Sequence, residues 1–187
     1  MEKTHPVGKI AVVGPESSGK TTLCRALSCF FHTAWSPEYA RYYLPSLGRT
    51  YVFEDIKAIG KGQLQWQRRD AGRARGILLC DTDLITLKVW SDYRFGITDS
   101  WILDQISRCP YQLTLLCRPD IPWEEDPLRE NPHDRDELFL KFRQELQDWK
   151  VPFHEIGGTS QAGRLEKAVA YITGAFPALI PQSGTKW

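Results

Sequence analysis

The sequence predicts an α/β fold in which a parallel sheet of five strands is flanked by helices. Short apolar runs, typical of strands buried on both faces, alternate along the chain with longer segments that have helical periodicity. The first apolar run leads through a glycine-bounded loop directly into a helix. Strands that alternate with helices in this way are joined by right-handed crossovers, which produce a parallel sheet.

Five strands are expected, each a mainly apolar run bounded by polar residues, proline or glycine. They cover residues 9–14, 34–37, 77–81, 112–117 and 153–156. Helices are expected at residues 19–31, 53–75, 83–93, 99–107, 134–149 and 162–173. Residues 38–43 are expected to continue from the second strand into a loop, and Asp134 is expected to cap the helix that it begins.

Length and composition predict a single domain over residues 1–187. A chain of 187 residues with 42% hydrophobic content can bury one α/β core but is too short for two. Residues 118–135 are charged and rich in proline, and we expect them to form a lid. Residues 178–187 carry few structural cues and are expected to be a loose tail.

The charge balance does not indicate a nucleic-acid partner, because 24 lysines and arginines against 23 acidic residues leave a net charge of +1. No run approaches the roughly 20 apolar residues of a membrane span, so membrane insertion is not expected. The five cysteines show no C-x-x-C spacing, which argues against a disulfide framework and favours the reducing cytoplasm. A small molecule is therefore the expected partner.

Residues 14–21, Gly-Pro-Glu-Ser-Ser-Gly-Lys-Thr, fit the P-loop pattern G-x-x-x-x-G-K-[ST]. Unpaired N–H groups at a helix start, together with the positive end of the helix dipole, form an anion-binding site. Gly14 and Gly19 allow the backbone to approach phosphate groups without a Cβ clash. We therefore predict that the chain binds a nucleoside triphosphate.

Two side chains of the P-loop have predicted roles in the chemistry. Lys20 supplies a positive charge to the β- and γ-phosphates, and the Thr21 hydroxyl can ligate Mg²⁺. The remaining residues predicted to bind nucleotide are Glu16, Ser17, Ser18 and Thr22.

Asp81 ends the third apolar run and is predicted to complete the Mg²⁺ site beside the P-loop. Asp83 follows two residues later and is expected to contact the substrate, although a carboxylate there can instead cap the next helix. Both residues follow the carboxyl end of a strand, where open α/β sheets bind their ligands.

Glu38 lies just after the second strand, and Arg41 follows it one helical step later. A kinase that acts on a small alcohol needs a base within hydrogen-bonding reach of the attacking hydroxyl. Glu38 is the predicted base, with Asp81 and Asp83 as competing candidates, and both Glu38 and Arg41 are expected to contact the substrate. The alternative is a surface ion pair of little energetic value.

Three arginines of the lid, Arg118, Arg129 and Arg135, can neutralise charge on a transferring phosphoryl group. We favour Arg129 and Arg135 as catalytic residues over Arg118. Acidic residues interleave with these arginines, so a solvated run of charges is the alternative interpretation.

Aromatic residues near the candidate carboxylates would suit a flat, positively charged ring through stacking and cation–π attraction. Tyr39 and Trp90 are predicted to bind the substrate in this way. Aromatic residues in such patterns are more often part of a core, which is the competing interpretation for each of them.

The chain resembles the ribosylnicotinamide kinase domain of the bacterial NadR-type family along nearly its whole length. The resemblance rests on the P-loop at 14–21, Glu-Tyr-Ala-Arg at 38–41, Gly-Gln at 62–63, Asp-Thr-Asp-Leu-Ile-Thr at 81–86 and Trp-Glu-Glu-Asp-Pro-Leu-Arg at 123–129. It implies a P-loop kinase fold with a five-stranded parallel sheet. It also implies transfer of the γ-phosphate of ATP, with Mg²⁺, to the 5′-hydroxyl of nicotinamide riboside.

Two other functions stay open on the sequence alone. A kinase for another nucleoside would need the same base and lid. A nucleotide-dependent regulatory ATPase or switch would use the P-loop without phosphorylating an acceptor. A GTPase is disfavoured because residues 117–120 read Cys-Arg-Pro-Asp where an Asn-Lys-x-Asp motif would be expected.

Overall fold

A computed structural model of the chain describes residues 7–108 and 111–179. Five strands form one all-parallel sheet in the order β2-β3-β1-β4-β5, which confirms the predicted fold class. The strands are β1 (Gly8–Val13), β2 (Trp35–Ser36), β3 (Ile77–Asp81), β4 (Leu113–Cys117) and β5 (Phe153–Ile156).

Helices flank this sheet on both faces. They are α1 (Lys20–Phe31), α2 (Ala40–Ser46), α3 (Phe53–Ala71), α4 (Leu84–Phe95), α5 (Ser100–Arg108), α6 (Arg135–Asp148) and α7 (Gln161–Ala175), followed by a 3₁₀ turn at Pro177–Leu179. Residues 180–187, which make up most of the predicted tail, lie outside the described residues, as does Cys109.

The central strand β1 contributes to a core on each face of the sheet, because successive side chains of a strand point to opposite sides. Ile10 and Val12 pack in the cluster that includes α1 and α7. Ala11 and Val13 pack in the cluster that includes α4 and α6. Burial on both faces explains why this strand is a continuous apolar run.

Pairing in the sheet brings the P-loop next to a carboxylate. Val12 of β1 is in register with Asp81, the last residue of β3, and the N–H of Thr82 donates to the carbonyl of Val12 at 3.1 Å. The loop after β1 and the residues after β3 therefore leave the sheet at the same edge. This edge is where parallel α/β sheets bind ligands.

Three details differ from the sequence-based expectation. Residues 40–46 form α2, a short helix that ends just after Pro45, where a loop was expected. Helix α3 ends at Ala71, four residues earlier than expected. Asp134 precedes α6 but makes no capping bond with its side chain, because its carboxylate accepts the hydroxyl of Tyr93 at 2.6 Å.

Within the described residues, no helix is long and apolar enough to cross a membrane. Four cysteines in those ranges, Cys24, Cys29, Cys80 and Cys117, are free thiols.

Gly14 is the position where the fold most directly constrains the start of the P-loop. Its φ is +137°, and a Cβ there would lie 2.5 Å from the carbonyl oxygen of Cys117 in β4. Gly14→Ala should therefore lower the free energy of unfolding by about 3 kcal/mol or more, from backbone strain and the clash together. Urea denaturation of the nucleotide-free protein measures this change.

Gly48→Ala is the matched control, because Gly48 also has a positive φ (+62°), but a Cβ added there would meet no heavy atom within 4 Å. We expect Gly48→Ala to lower the free energy of unfolding by about 1 kcal/mol, from backbone strain alone. Equal losses in the two variants would show that contact with β4 does not constrain Gly14.

Candidate active site

A cavity of about 230 Å³ opens at the carboxyl ends of the strands. The P-loop, the start of α1, residues 38–44, α4, the lid segment (residues 118–135) and α6 all contribute to its wall. Of the residues predicted from sequence to bind nucleotide or substrate, these line it: Gly14, Glu16, Ser17, Ser18, Gly19, Lys20, Thr21, Thr22, Glu38, Arg41, Trp90 and Arg129.

The P-loop has the geometry of an anion-binding turn. Ser17 and Gly19 have positive φ values of 51° and 80°, so the loop curls before α1 begins at Lys20. No side chain caps the start of α1, which leaves its first N–H groups directed toward the loop. The ammonium of Lys20 donates to the carbonyls of Gly14 at 2.9 Å and Pro15 at 2.8 Å, which holds a positive charge against the loop.

Thr21 joins the P-loop helix to the end of β3. Its hydroxyl donates to one carboxylate oxygen of Asp81 at 2.6 Å, while the other oxygen is buried and has no hydrogen-bond partner among residues 7–108 and 111–179. Burial, followed by the nearby charge of Glu38, raises the pKa of Asp81 to about 6. A buried carboxylate oxygen without a donor is suited to a cation or a cation-bound water.

This pair of oxygen donors fits Mg²⁺, which keeps several waters and takes only one or two protein ligands when it binds with phosphates. Within the described part of the chain, no group of three or more His, Cys, Asp or Glu side chains could hold a metal on its own. Asp81 itself does not line the cavity and reaches it through Thr21.

Glu38 lines the same cavity as the P-loop, and it lies on the segment that links β2 to α2. Arg41 lies 3.4 Å from its carboxylate and also forms a 2.7 Å ion pair with Asp126 of the lid segment. The negative charge of Glu38 is one cause of the raised pKa of Asp81. Arg41 thus connects Glu38 to Asp126, although the two acidic residues are widely separated in the sequence.

Gln63 of α3 fixes the backbone on both sides of Glu38. Its amide oxygen accepts the N–H of Tyr39 at 2.7 Å, and its amide nitrogen donates to the carbonyl of Pro37 at 3.2 Å. Gln63 is almost fully buried, so both bonds are shielded from water. This role was not predicted, since nothing in the sequence shows that α3 passes behind Glu38.

Tyr39, a predicted substrate residue, does not line the cavity. Its ring packs edge-on against Trp66, with centroids 4.9 Å apart, and covers Gly62, where a Cβ would lie 2.1 Å from the ring. Tyr39 is therefore part of a packed aromatic cluster, which was the competing interpretation of this residue.

Asp83, also predicted to contact substrate, caps α4 instead of lining the cavity. Its carboxylate accepts the N–H of Thr86 at 2.8 Å and the hydroxyl of Thr86 at 3.0 Å. Burial raises the pKa of Asp83 to about 6. Thr86 does line the cavity, so Asp83 is connected to the site through that threonine.

The lid segment is docked on the P-loop through Glu16 and Ser17. One carboxylate oxygen of Glu16 accepts the N–H groups of Glu130 and Asn131 at 2.9 and 3.0 Å. Burial of Glu16 between the two segments raises the pKa of its carboxyl. The hydroxyl of Ser17 accepts the N–H of Glu124 at 3.0 Å.

The arginines of the lid segment occupy different positions. Arg129 lines the cavity near Ser17 and donates to the carbonyl of Glu124. Arg135 lies behind the loop, donating to the carbonyls of Ile121 at 2.9 Å and Ser17 at 3.3 Å. Arg118 turns away to pair with a carboxylate of β5 at 2.6 Å.

Arg164 of α7 is a buried arginine that was not predicted from the sequence. It donates to the carbonyl of Ser18 in the P-loop at 2.6 Å and to the carboxylate of Asp120 at 2.7 Å. Its side chain is only 5% exposed, and it lines the cavity beside Gly19. It therefore ties the P-loop to the start of the lid segment.

Comparison with known proteins is consistent with this geometry. A family model described as an AAA domain, AAA_28, matches residues 9–164. The trifunctional NAD biosynthesis/regulator proteins NadR of Escherichia coli (strain K12) and Salmonella typhimurium are each 26% identical to the chain over 172 residues. Each match covers 89% of this chain and 42% of the relative, so the chain spans less than half the length of these proteins.

Solved structures share the fold. A crystal structure of NadR protein in complex with NR superposes with a TM-score of 0.79 at 20% identity, covering 98% of this chain and 54% of that one. Thymidylate kinase from Ehrlichia chaffeensis superposes with a TM-score of 0.58 at 16% identity, covering 89% and 100%. The chain shares its fold with a NadR protein and with a thymidylate kinase, and it belongs to the AAA_28 family of AAA domains.

Proposed function

We propose that this protein is an ATP- and Mg²⁺-dependent kinase that phosphorylates the 5′-hydroxyl of nicotinamide riboside and produces nicotinamide mononucleotide. The observation that carries the proposal is that the P-loop and Glu38 line one cavity. A phosphate-binding loop and an acidic side chain that line the same cavity are the two groups that a small-molecule kinase needs. The relationship to NadR supports the choice of acceptor, because one NadR structure contains NR, and the choice of donor, because another contains AMP-PNP.

The P-loop would bind the phosphates of ATP through main-chain N–H groups and Lys20. In the structure the Lys20 ammonium donates to two carbonyls of its own loop. Phosphate oxygens are stronger acceptors than these carbonyls, because hydrogen bonds between charged groups exceed those to neutral partners. Lys20 would therefore move to the β- and γ-phosphates and stabilise the charge that develops there.

Thr21 and Asp81 are the residues that would hold Mg²⁺, through the hydroxyl of Thr21 and the unpartnered oxygen of Asp81. The ion would supply charge neutralisation between the phosphates. A cation at this position would also compensate the buried carboxylate of Asp81, whose second oxygen has no donor within the described part of the chain.

Glu38 would accept the proton of the 5′-hydroxyl as that oxygen attacks the γ-phosphorus. A new oxygen–phosphorus bond forms, the bond from the γ-phosphorus to the bridging oxygen breaks, and ADP leaves with that oxygen. Arg41 and Gln63 hold Glu38 in place through the ion pair and the two backbone hydrogen bonds described above. Fixing the base in this way avoids an entropic cost during the reaction.

The acceptor end of the cavity would bind the nicotinamide ring. The cavity wall includes Trp90 and Tyr93 together with Leu44, Val89 and Leu128. An apolar wall that carries an aromatic face is suited to a flat ring, and the positive charge of the pyridinium adds cation–π attraction. Arg129, which lies near Ser17 of the P-loop, would contact the transferring phosphoryl group.

A kinase for another nucleoside is the second candidate, and the shared fold with thymidylate kinase favours it. An aromatic and apolar wall would accept a purine or pyrimidine as well as a nicotinamide ring. A regulatory ATPase or switch would also explain the P-loop. Such a protein phosphorylates no acceptor, so it would not need an acidic side chain at the position of Glu38.

Kinetic assays with purified protein distinguish these functions. ATP consumption and product formation are measured with nicotinamide riboside, with a panel of purine and pyrimidine nucleosides, and without acceptor. The proposal predicts ATP consumption that depends strongly on nicotinamide riboside and yields nicotinamide mononucleotide. Turnover of another nucleoside alone would favour the second candidate, and acceptor-independent hydrolysis would favour a regulatory ATPase.

Glu38→Gln should lower kcat by about 100-fold or more, because an amide cannot accept the hydroxyl proton. The KM for ATP should stay nearly unchanged, since the P-loop is untouched. Steady-state kinetics with both substrates measures this split. Glu166→Gln, on an exposed surface of α7, is the control for loss of one negative charge. Equal kcat in the two variants would remove Glu38 as the base.

Asp81→Asn should make the nucleotide-free protein more stable above pH 6. The native pKa of Asp81 is about 6 against an ordinary value of 3.8, so its carboxyl stabilises the fold below pH 3.8. This contribution disappears as the pH rises through 6, because the buried carboxylate then ionises. Asparagine does not ionise. We therefore expect the free energy of unfolding of the variant to exceed that of the wild type by up to roughly 2 kcal/mol at pH 8 and by little at pH 4.

The same variant should bind ATP with Mg²⁺ at least tenfold more weakly, while its affinity for ATP in EDTA should match that of the wild type. Urea denaturation at the two pH values and isothermal titration calorimetry provide the measurements. A stability difference independent of pH would contradict the raised pKa. Unchanged affinity in Mg²⁺ would contradict the proposed metal site.

A further inference from the structure

Tyr51 links the acceptor end of the cavity to the lid segment. It lies just before α3, is 9% exposed, and packs in the core formed around α2, α3 and α4. Its hydroxyl accepts the indole N–H of Trp90 at 2.9 Å and donates to the carboxylate of Glu130 at 2.9 Å. Trp90 lines the cavity, whereas Glu130 belongs to the lid segment.

The same Glu130 is bound to the P-loop. Its main-chain N–H donates to the carboxylate of Glu16 at 2.9 Å, and the next N–H, that of Asn131, donates to the same oxygen at 3.0 Å. Hydrogen bonds therefore run from Trp90 through Tyr51 and Glu130 to Glu16. This chain connects the wall of the acceptor pocket with the loop that would bind phosphates.

The hydroxyl of Tyr51 is needed at the centre of this chain because it acts as acceptor and donor at once. Burial raises the pKa of Tyr51 to about 12, so the hydroxyl keeps its proton at neutral pH and remains a donor to Glu130. The ring is held separately, by edge-on contacts with Trp90 and Phe95 at centroid distances of 5.0 and 6.0 Å. Loss of the hydroxyl alone would therefore leave the packing largely intact.

We propose that Tyr51 is a positioning residue that couples occupancy of the acceptor pocket to docking of the lid segment on the P-loop. An acceptor that packs against Trp90 fixes the indole in the orientation that donates to Tyr51. That bond orients the hydroxyl proton toward Glu130 and so favours the docked lid segment. Because linked hydrogen bonds strengthen one another, the acceptor has a higher affinity for the docked state than for an undocked one.

This inference rests on the proposed kinase function and adds a consequence to it. A lid segment whose docked state is stabilised by the acceptor excludes water from the γ-phosphate most completely when the acceptor hydroxyl is in place. ATP would then be consumed in step with acceptor phosphorylation. Weakening the connection at Tyr51 should let water compete with the acceptor.

Tyr51→Phe tests the inference. We expect kcat/KM for the acceptor to fall about tenfold, as for the loss of one hydrogen bond to a charged group, while the KM for ATP changes less than twofold. We also expect the ratio of ADP to phosphorylated acceptor to rise clearly above one. Coupled assays of ADP release and chromatographic assays of product give both quantities.

Tyr43→Phe is the matched control. Its hydroxyl also donates to a carboxylate, that of Asp55, at 2.9 Å, and its ring packs in the same core, but the bond does not reach the lid segment. We expect its acceptor kinetics and its ADP-to-product ratio to equal those of the wild type. Identical behaviour of the Tyr51 and Tyr43 variants would overturn the role of Tyr51.

Variants of Glu130 test the residue that accepts the hydrogen bond from the Tyr51 hydroxyl. Glu130→Gln retains an oxygen that can accept the Tyr51 hydroxyl and should keep most of the coupling. Glu130→Ala should reproduce the effect of Tyr51→Phe, and the double variant should be no worse than either single variant. Additive losses would show that the two residues act independently and would overturn the proposal.

Failure of the inference can be distinguished from failure of the proposed function. If the wild-type protein phosphorylates its acceptor with one ADP per product and Tyr51→Phe does the same, only the role of Tyr51 is overturned. If the wild-type protein hydrolyses ATP without phosphorylating any acceptor, the proposed function and the inference are overturned together.

Discussion

The hydrogen bond from Thr21 to Asp81 is the contact around which the candidate site is arranged. It joins the first turn of α1 to the end of β3, and it exists because β1 and β3 pair in register at the edge of the sheet. The bond satisfies only one of the two buried carboxylate oxygens. The fold thus tolerates an unfavourable buried group at the place where a cation would compensate it, as is common at functional sites.

The sequence predicted the sheet well because its strands are apolar on both faces and therefore stand out as continuous runs. It also predicted the P-loop residues that line the cavity, because their function depends on main-chain geometry that short motifs encode locally. Helix α2 was missed, since Pro45 and several aromatic residues obscure its short pattern. Asp134 was assigned to a helix cap, yet a tyrosine hydroxyl from α4 competes successfully for its carboxylate.

The supporting residues could not be predicted, because their roles arise from contacts between distant segments. Gln63 holds the backbone around Glu38 from a helix that begins 15 residues after Glu38. A single glutamine in a helix has no local sequence pattern that would predict this contact. Asp83 shows the opposite case: a local helix-capping rule describes its position better than proximity to a motif does. Local interactions such as helix capping can be predicted from the sequence, whereas contacts between distant segments can be identified only once the fold is known.

Arg164 has a consequence for synthesis of the chain. The carbonyl of Ser18 receives its buried guanidinium partner from a residue 146 positions later, on the last long helix. Chains are made from the amino terminus, and non-local contacts form only after the later segment is available. The carbonyl of Ser18 therefore gains this partner only after the segment that contains α7 has been synthesised, so the P-loop acquires one of its supporting contacts late in synthesis.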